Sequence, residues 1–413
     1  VDFDDTPEEA AFRREARAFL EAHADRRAID PARLLQVDSG PDADAEHVQR
    51  CRRFQGVLFE HGWAGITWPK EYGGRGGTGV EQSIFDQEQA AFDVSTGVFA
   101  VGIGMAGPTL IAHGTDEQKR RYLQPMLAGE EIWCQLFSEP GSGSDLASLA
   151  TRAERDGDTF VVNGQKVWNT GAHYSDMAIL LARTDPDVEK HAGISYFVVD
   201  MSTPGIEVRP LRQINGGAHF NEVFLTDVRI PAENLVGAVH EGWRVARTTL
   251  ANERTLIGGL GRGRAGGLED VLSLARRRGR AADPVIRQDL ARMAVRSEIL
   301  RYLGLRVRTA ASRGEMPGPE SSVMKLAVSQ HVAATGDLVM AVGGAAGTLF
   351  GDDAPDNAFW QHQFLTQWGT RIGGGTDQIQ RNVIAERVLG LPRDERVDRG
   401  VPFRALAGRA PTS

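Results

Sequence analysis

Three stretches of this chain concentrate residues whose types and spacing could do chemistry. Cys134–Asp145 reads Cys-Gln-Leu-Phe-Ser-Glu-Pro-Gly-Ser-Gly-Ser-Asp. Glycines let a backbone come close to a ligand, and small hydroxyls can donate or accept a hydrogen bond. A little further on, Lys166-Val167-Trp168-Asn169-Thr170-Gly171 sets an indole beside a hydroxyl. Taken alone, a Ser/Gly-rich run is equally an ordinary surface loop. The third stretch surrounds Glu253. At about 100° per residue, Trp243, Ala246, Leu250, Glu253, Ile257 and Leu260 fall within roughly one third of a helix circumference. Glu253 therefore sits on an apolar stripe, where an ionised carboxylate is costly unless it is paired or its pKa rises. It is either a general base or half of a buried ion pair, with Arg254 or an arginine of another helix.

The elements that position these residues follow a helix, strand, helix order. Thr6-Pro7-Glu8-Glu9 is a capping box with proline at the first helical position, followed by Phe12, Ala16, Phe19 and Leu20 at helical spacing. Further helices are expected over 48–61, 81–92 and 117–127. From about Ser138 the period becomes that of strands. Asn163-Gly164 predicts a two-residue hairpin turn between 159–162 and 165–169, and strands are expected over 177–183, 194–200, 206–211 and 222–228. After Ile230-Pro231 the pattern is helical again, over 241–260, 266–277, 284–312, 322–342 and 376–389, which suits a bundle. The chain thus reads as mainly α with a central β domain: an N-terminal helical domain (1–132), a small antiparallel barrel or sandwich (133–239), a C-terminal helical bundle (240–400) and a peripheral tail (401–413).

Composition narrows the function. The 413 residues carry a net charge of −8, which disfavours nucleic acid or an anionic membrane as main partner. The two cysteines, Cys51 and Cys134, lie outside any metal-ligand spacing, so no metal site is expected. Their scarcity suits a reducing cytoplasm, and no long apolar run or secretory pattern is present, so a cytoplasmic location is expected. Glycine patterns of the GxGxxG type begin at Gly74, Gly102 and Gly261, but none sits in a βαβ unit, so a nicotinamide site is rejected. No P-loop or GxSxG elbow occurs.

The paired stretches at 134–145 and 166–171 closely resemble the flavin-binding signature of the acyl-CoA dehydrogenases, and the element order extends that resemblance over nearly the whole chain. The resemblance implies FAD, with Phe137, Ser138 and Ser144 from the first stretch, and Trp168, Asn169 and Thr170 from the second, around the isoalloxazine. It further implies α,β-dehydrogenation of an acyl-CoA thioester to a trans-2-enoyl-CoA, with an electron-transferring flavoprotein as acceptor. Many members carry the catalytic glutamate just before the Gly-Thr that opens the last helix. Here the corresponding run, Arg371–Arg381, has Gly374 at that place. In the isovaleryl-CoA and long-chain branches the base lies on another helix, just before an arginine, and Asn252-Glu253-Arg254 resembles that arrangement.

By the same resemblance the N–H of Gly374 joins a flavin hydroxyl in holding the thioester oxygen, an oxyanion-hole arrangement in which each donor contributes about 3–4 kcal/mol. Ser144, Leu250, Arg254 and Gly374 are then substrate contacts. Arg278, Gly343 and Gly344 correspond to positions near the diphosphate of a neighbouring subunit's FAD, and Thr376 and Gln378 to positions near the adenosine. Ala281 and Met340 depart from the family's usual phenylalanine and glutamine. On the residues alone, the run 276–280 is equally a solvated basic turn, and Thr376 equally a helix cap. A homodimer or homotetramer is implied. The alternatives are a subunit of a heteromeric, steroid side-chain type dehydrogenase and a flavin monooxygenase of the same fold.

Overall fold

The structure, a computed structural model, describes residues 5–26, 41–259, 266–312, 320–351, 353–393, 395 and 398–406. Contacts group the chain into two units. One gathers Val1–Asp38, Gly77–Val94 and Arg254–Pro392; the other gathers Ser39–Gly76, Ser95–Glu253 and Arg393–Ser413. Helices α1 (Pro7–His23) and α3 (Gly79–Gln89) belong to the first unit, with α7 (Leu268–Arg277), α8 (Pro284–Ser312), α9 (Glu320–Gly343), α10 (Phe359–Ile372) and α11 (Asp377–Val383). The second unit holds α2 (Pro41–Glu60), α4 (Gly107–His113), α5 (Asp116–Ala128), α12 (Phe403–Leu406) and a seven-stranded sheet. Helix α6 (Gly242–Gly259) begins in the second unit and ends in the first. A mainly helical fold with a curled central sheet is thus what forms. Among the described residues no helix is long and apolar enough to cross a membrane.

The sheet comprises β1 (Trp133–Leu136), β2 (Arg152–Asp156), β3 (Thr159–Val167), β4 (Met177–Arg183), β5 (Ile194–Asp200), β6 (Ile206–Leu211) and β7 (Phe220–Pro231). Its order is β1-β4-β2-β3-β7-β6, with β5 also paired to β4. Pairing is mostly antiparallel, but β1 runs parallel to β4, and a single parallel bridge, Arg152 to Arg183, joins β2 to β4. Strand β4 is buried at every position. Met177, Ile179 and Leu181 enter one core, with Trp68, Tyr122, Trp133 and Ala246. Ala178, Leu180 and Ala182 enter another, with Phe160, Phe197 and Val223. This is the period-two alternation of a strand covered on both faces.

Three sequence expectations are corrected. Asn163-Gly164 is no hairpin turn: β3 runs straight through it, and the turn falls at Gly157, whose φ is 61°. The pair instead marks a register shift against β7 between Val162 and Gly164. There Asn163 exchanges hydrogen bonds with Asp227, donating to Oδ1 at 3.0 Å and accepting from its N–H at 2.9 Å. A Cβ on Gly164 would lie 2.3 Å from Thr151 Oγ1, so the glycine serves a close approach at a bulge. Helix α10 was not expected. It is rich in aromatic and amide residues, and its N-cap, Ala358, lacks a side-chain cap bond. Asp356, Asn357 and Ala358, just before it, have φ of 53°, 51° and 59°, a left-handed turn that non-glycine residues adopt at a cost.

The tail is also more than peripheral. Phe403 is buried, and the Arg183 guanidinium lies 3.7 Å from its ring centroid. Phe403 N–H donates to Val188 O at 2.8 Å, and Arg404 N–H to Pro186 O at 2.9 Å. Just before the tail, Lys190 bridges Asp398 and Asp145 at 2.7 Å each, at the end of the Ser/Gly-rich stretch.

In the helical unit, α7 to α10 share a core of Val271, Leu274, Leu290, Met293, Leu338 and Phe359. Helix α1 is tied to α3 by Glu88, which accepts from Arg17 at 2.8 and 3.0 Å and from Arg13 at 3.1 Å. The Arg17 hydrogen bond holds the Glu88 carboxyl below its ordinary value, against the effect of burial, with Arg13 reinforcing it.

Two outcomes follow. Phe403→Ala should lower stability by about 3 kcal/mol, the low end for emptying a buried phenylalanine site, and a denaturant titration reads it. A depressed carboxyl contributes stability that is complete above its unfolded pKa and is lost as pH falls through its folded one. The melting temperature should therefore drop between about pH 5 and about pH 3, less steeply in Glu88→Gln than in the wild type.

Candidate active site

The two chemistry-bearing stretches of the sheet unit are built against each other. Strand β1 delivers Phe137, Ser138 and Glu139 at its end, and β3 delivers Lys166 to Thr170. Val167 N–H donates to Ser138 O at 2.9 Å. Asn169 Nδ2 donates to Gln135 O at 2.7 Å, and Asn221 Nδ2 to Asn169 O at 2.8 Å. Glu139 and Ser142 exchange backbone hydrogen bonds at 2.9 and 3.0 Å, closing a tight turn around Pro140-Gly141. Beyond that turn Ser142 Oγ donates to Asp145 O and Leu146 O at 3.0 and 3.2 Å.

This scaffold sorts the expected residues by exposure. Trp168 is 61% exposed and held at φ 65°, a left-handed conformation unusual for a bulky residue, with its ring edge-on to Phe220. Thr170 and Ser144 are exposed and Ser138 is half-buried. An uncovered indole next to hydroxyls on two neighbouring strand ends fits a flat, polar-edged ring such as a flavin. Phe137 and Asn169 instead face inward: Phe137 packs edge-on against Tyr196, and Asn169 is 1% exposed. They shape the face from behind.

Helix α6 carries the candidate base. Trp243, Ala246 and Leu250 pack against the core containing Trp68 and Tyr122, and Glu253 follows on that stripe, half-buried. Ile257's side chain and Leu260 lie outside the described residues. Sequence reasoning missed a buried hydroxyl chain one turn before Glu253. Thr249 Oγ1 lies 2.9 Å from Thr109 Oγ1 and 3.1 Å from the Tyr196 hydroxyl, and Thr109 donates to Met105 O at 2.8 Å. Thr109, Tyr196 and Thr249 are fully buried, and burial pushes the Tyr196 phenol up. Met105 belongs to a π-helical turn, Gly102–Ala106, that leads into α4. A threonine at the edge of the mostly apolar stripe was the available signal.

In the helical unit, Arg278 and Gly343 line one shallow, half-open cleft with Met340, Trp360 and Gln361. Arg278 ends α7, its N–H donating to Leu274 O at 2.9 Å. Its neighbours are engaged elsewhere: Arg277 with Asp356 at 3.3 Å and Arg280 with Asp283 at 3.0 Å. Gln361 Oε1 is buried and has no hydrogen-bond partner, which leaves an acceptor at this cleft. Gly344, at φ 55°, adjoins it. Gly374 and Gly375 take φ of 63° and 87°, and Gln380 Nε2 donates to their carbonyls at 2.9 and 3.3 Å. Thr376 caps α11, accepting from Ile379 N–H at 3.2 Å; Gln378 is exposed and Arg254 half-buried. Among the described residues no cluster of His, Cys, Asp or Glu could hold a metal ion.

The curled sheet presents an exposed indole and hydroxyls at two strand ends, an open face that a flat, polar-edged ring could cover. Comparison with known proteins carries this further. Residues 6–130, 134–228 and 240–389 match the N-terminal, middle and C-terminal domains of acyl-CoA dehydrogenase. The acyl-CoA dehydrogenase IpdE1 of Mycobacterium tuberculosis is 41% identical over 93% of this chain and 98% of its own length. The solved "Tcur3481-Tcur3483 steroid ACAD" superposes with a TM-score of 0.80 at 31% identity, covering 95% of this chain and 100% of that one. The ChsE4-ChsE5 complex of Mycobacterium tuberculosis gives 0.77 at 30%, with the same coverage of each chain. The chain belongs to the acyl-CoA dehydrogenase family, an enzyme family that works with a flavin.

The hydroxyl chain generates a prediction. Thr249→Val keeps the shape of the side chain but leaves the Thr109 and Tyr196 hydroxyls short of a partner. It should cost about 1–3 kcal/mol in a denaturant titration, whereas the double variant Thr249→Val with Tyr196→Phe should cost less than the sum of the two single changes.

Proposed function

We propose that this chain is an FAD-dependent acyl-CoA dehydrogenase in which Glu253 removes the α-proton of an acyl-CoA thioester. The observation that carries this reading is the pairing of the Ser138 and Trp168 stretches at adjacent strand ends, combined with a carboxylate on the buried stripe of α6. Bound FAD would supply the acceptor for the β-hydride, and loss of the α-proton with that hydride would give a trans-2-enoyl-CoA. Ser138, Ser144, Trp168 and Thr170 hold and cover the ring, with Phe137 and Asn169 behind them. Glu253, on the stripe of α6, takes the proton of the carbon acid and releases it with the product. The amide of Gly374 steadies the thioester oxygen as charge develops, and this role needs no side chain. Leu250, Arg254 and Ser144 contact the substrate. Arg278, Gly343 and Gly344 reach the diphosphate, and Thr376 and Gln378 the adenosine, of a partner subunit's FAD. Electrons pass to an electron-transferring flavoprotein in the cytoplasm.

A second reading concerns assembly. The ChsE4-ChsE5 complex and the Tcur3481-Tcur3483 pair each combine two different subunits by name, and Met340 lines the cleft that holds Arg278. These favour a heteromeric enzyme acting on a steroid-derived acyl-CoA over a homotetramer. Flavin content and particle mass of the chain purified alone separate the two: a half-subunit retains little FAD. A monooxygenase role would leave Glu253 without work, and hydroxylated product with rapid oxygen uptake would support it instead.

The test of dehydrogenation is an anaerobic titration of the flavin-loaded protein with a panel of acyl-CoA thioesters, steroid-derived ones included. Bleaching of the visible band is expected, and its rate ranks the acyl groups. Glu253→Gln should keep flavin and ligand binding yet slow bleaching by at least about a hundredfold, the low end for loss of a general base. Near-normal bleaching in that variant would sink the assignment.

A further inference from the structure

Lys166 and Glu139 lie in the two chemistry-bearing stretches, yet neither faces outward. Lys166 is fully buried and the Glu139 side chain is 8% exposed, and their Nζ and Oε1 atoms are 2.8 Å apart. Each bond the pair makes joins one stretch to another. Lys166 Nζ also donates to Phe137 O at 3.0 Å, the residue before Ser138. Glu139 accepts from Ala150 N–H at 2.7 Å and Thr151 N–H at 2.9 Å, tying down the far end of the Ser142–Ser148 loop. The next residue after Lys166 bonds Ser138 O, and the one after that is the exposed, left-handed Trp168.

The electrostatics are those of a buried pair. Burial alone would raise the Glu139 carboxyl, but the charge and hydrogen bond of Lys166 and the two backbone N–H groups hold it low, so it stays ionised. Burial pulls the Lys166 ammonium down, with Glu139 opposing. Arg183 stands nearby as a third charge, its guanidinium donating to Ala147 O and Leu149 O at 2.6 and 3.1 Å. A buried ion pair is a poor source of net stability, since neutral residues of like volume often serve as well or better. Its use here is better sought in geometry.

We propose that the Lys166–Glu139 pair is a positioning element for the flavin. It fixes Ser138 in register with Trp168 and Thr170 before the cofactor arrives, so that the ring meets a preformed face. This rests on the flavin reading above. The hydroxyls and the indole touch the ring, while the pair touches only what carries them.

The test is FAD binding by the full chain carrying Lys166→Met with Glu139→Gln. This double change removes one charge of each sign, so the net charge beside Arg183 is unchanged and an altered flavin reports position. The side-chain amide that replaces the Glu139 carboxylate keeps an acceptor for Thr151 N–H, and Ala150 is exposed, so its N–H can turn to water. The expected result is a thermal midpoint close to that of the wild type, with an FAD Kd raised about ten- to a hundredfold, the range for losing a residue that supports a binding shell. The visible flavin band should lose fine structure and its midpoint potential should shift. Wild-type Kd, spectrum and potential in a folded double variant would overturn the proposal.

Should the double variant fail to fold, hydrogen exchange on the wild-type chain decides. The amides of Thr151 and Val167 should be equally protected with and without FAD; protection that appears only on adding FAD would mean that the cofactor, not the pair, orders the loop. A wild-type chain that takes up no FAD at all would overturn the flavin reading itself, and this inference with it.

Discussion

The sheet unit depends on one constraint: β4 has no face that water reaches. A strand buried on both sides must find a core for each side, and β4 supplies odd-numbered residues to one core and even-numbered residues to the other. A slip of one residue would exchange the two sets, so its register is strongly specified. β1 and β5 take their registers from it. The first stretch begins on β1, and the tyrosine that reaches Thr249 stands on β5. At the end of β4, Arg183 turns a charge to structural use by gathering carbonyls of the 147–149 loop and Lys190 while lying against Phe403.

The legible parts of the sequence were those with long, regular periods or strong local rules. β4 and β5 begin and end where the apolar runs do, α8 where its helical pattern does, and the Thr6 capping box forms as read. The chemistry-bearing stretches stood out because small hydroxyls, glycines and an indole at that spacing are rare together. Asn163-Gly164 misled because a local turn signal was overruled by a partner 64 residues away, Asp227, which takes up the asparagine side chain. Helix α10 went unseen because its start lacks a side-chain cap and follows a left-handed turn. The stripe placed Glu253, but it could not disclose that Thr249 is bonded to Thr109, 140 residues earlier.

The two stretches also show how labour is divided within a short segment. Neighbouring residues near the end of β3 have opposite tasks: Lys166 and Val167 look inward, Trp168 and Thr170 outward, and Asn169 inward again. The inward residues bond backbone of Gln135, Phe137 and Ser138, and the outward ones remain open to a ligand. A short segment therefore mixes side chains open to a ligand with side chains sealed in the core, and burial and bond partners tell them apart.

The tail contact bears on how a long excursion of the chain is closed. Arg404 meets Asp187 across 217 residues, and Gly400 meets Glu189 across 211. In a disordered chain, closing a loop of that length costs about 5 kcal/mol from the length-dependent term alone, more than an exposed ion pair and a few hydrogen bonds return. Burial of Phe403, which contributes about 3 kcal/mol, is what offsets most of that cost. The tail is thus latched by one buried ring against a guanidinium rather than by its surface bonds.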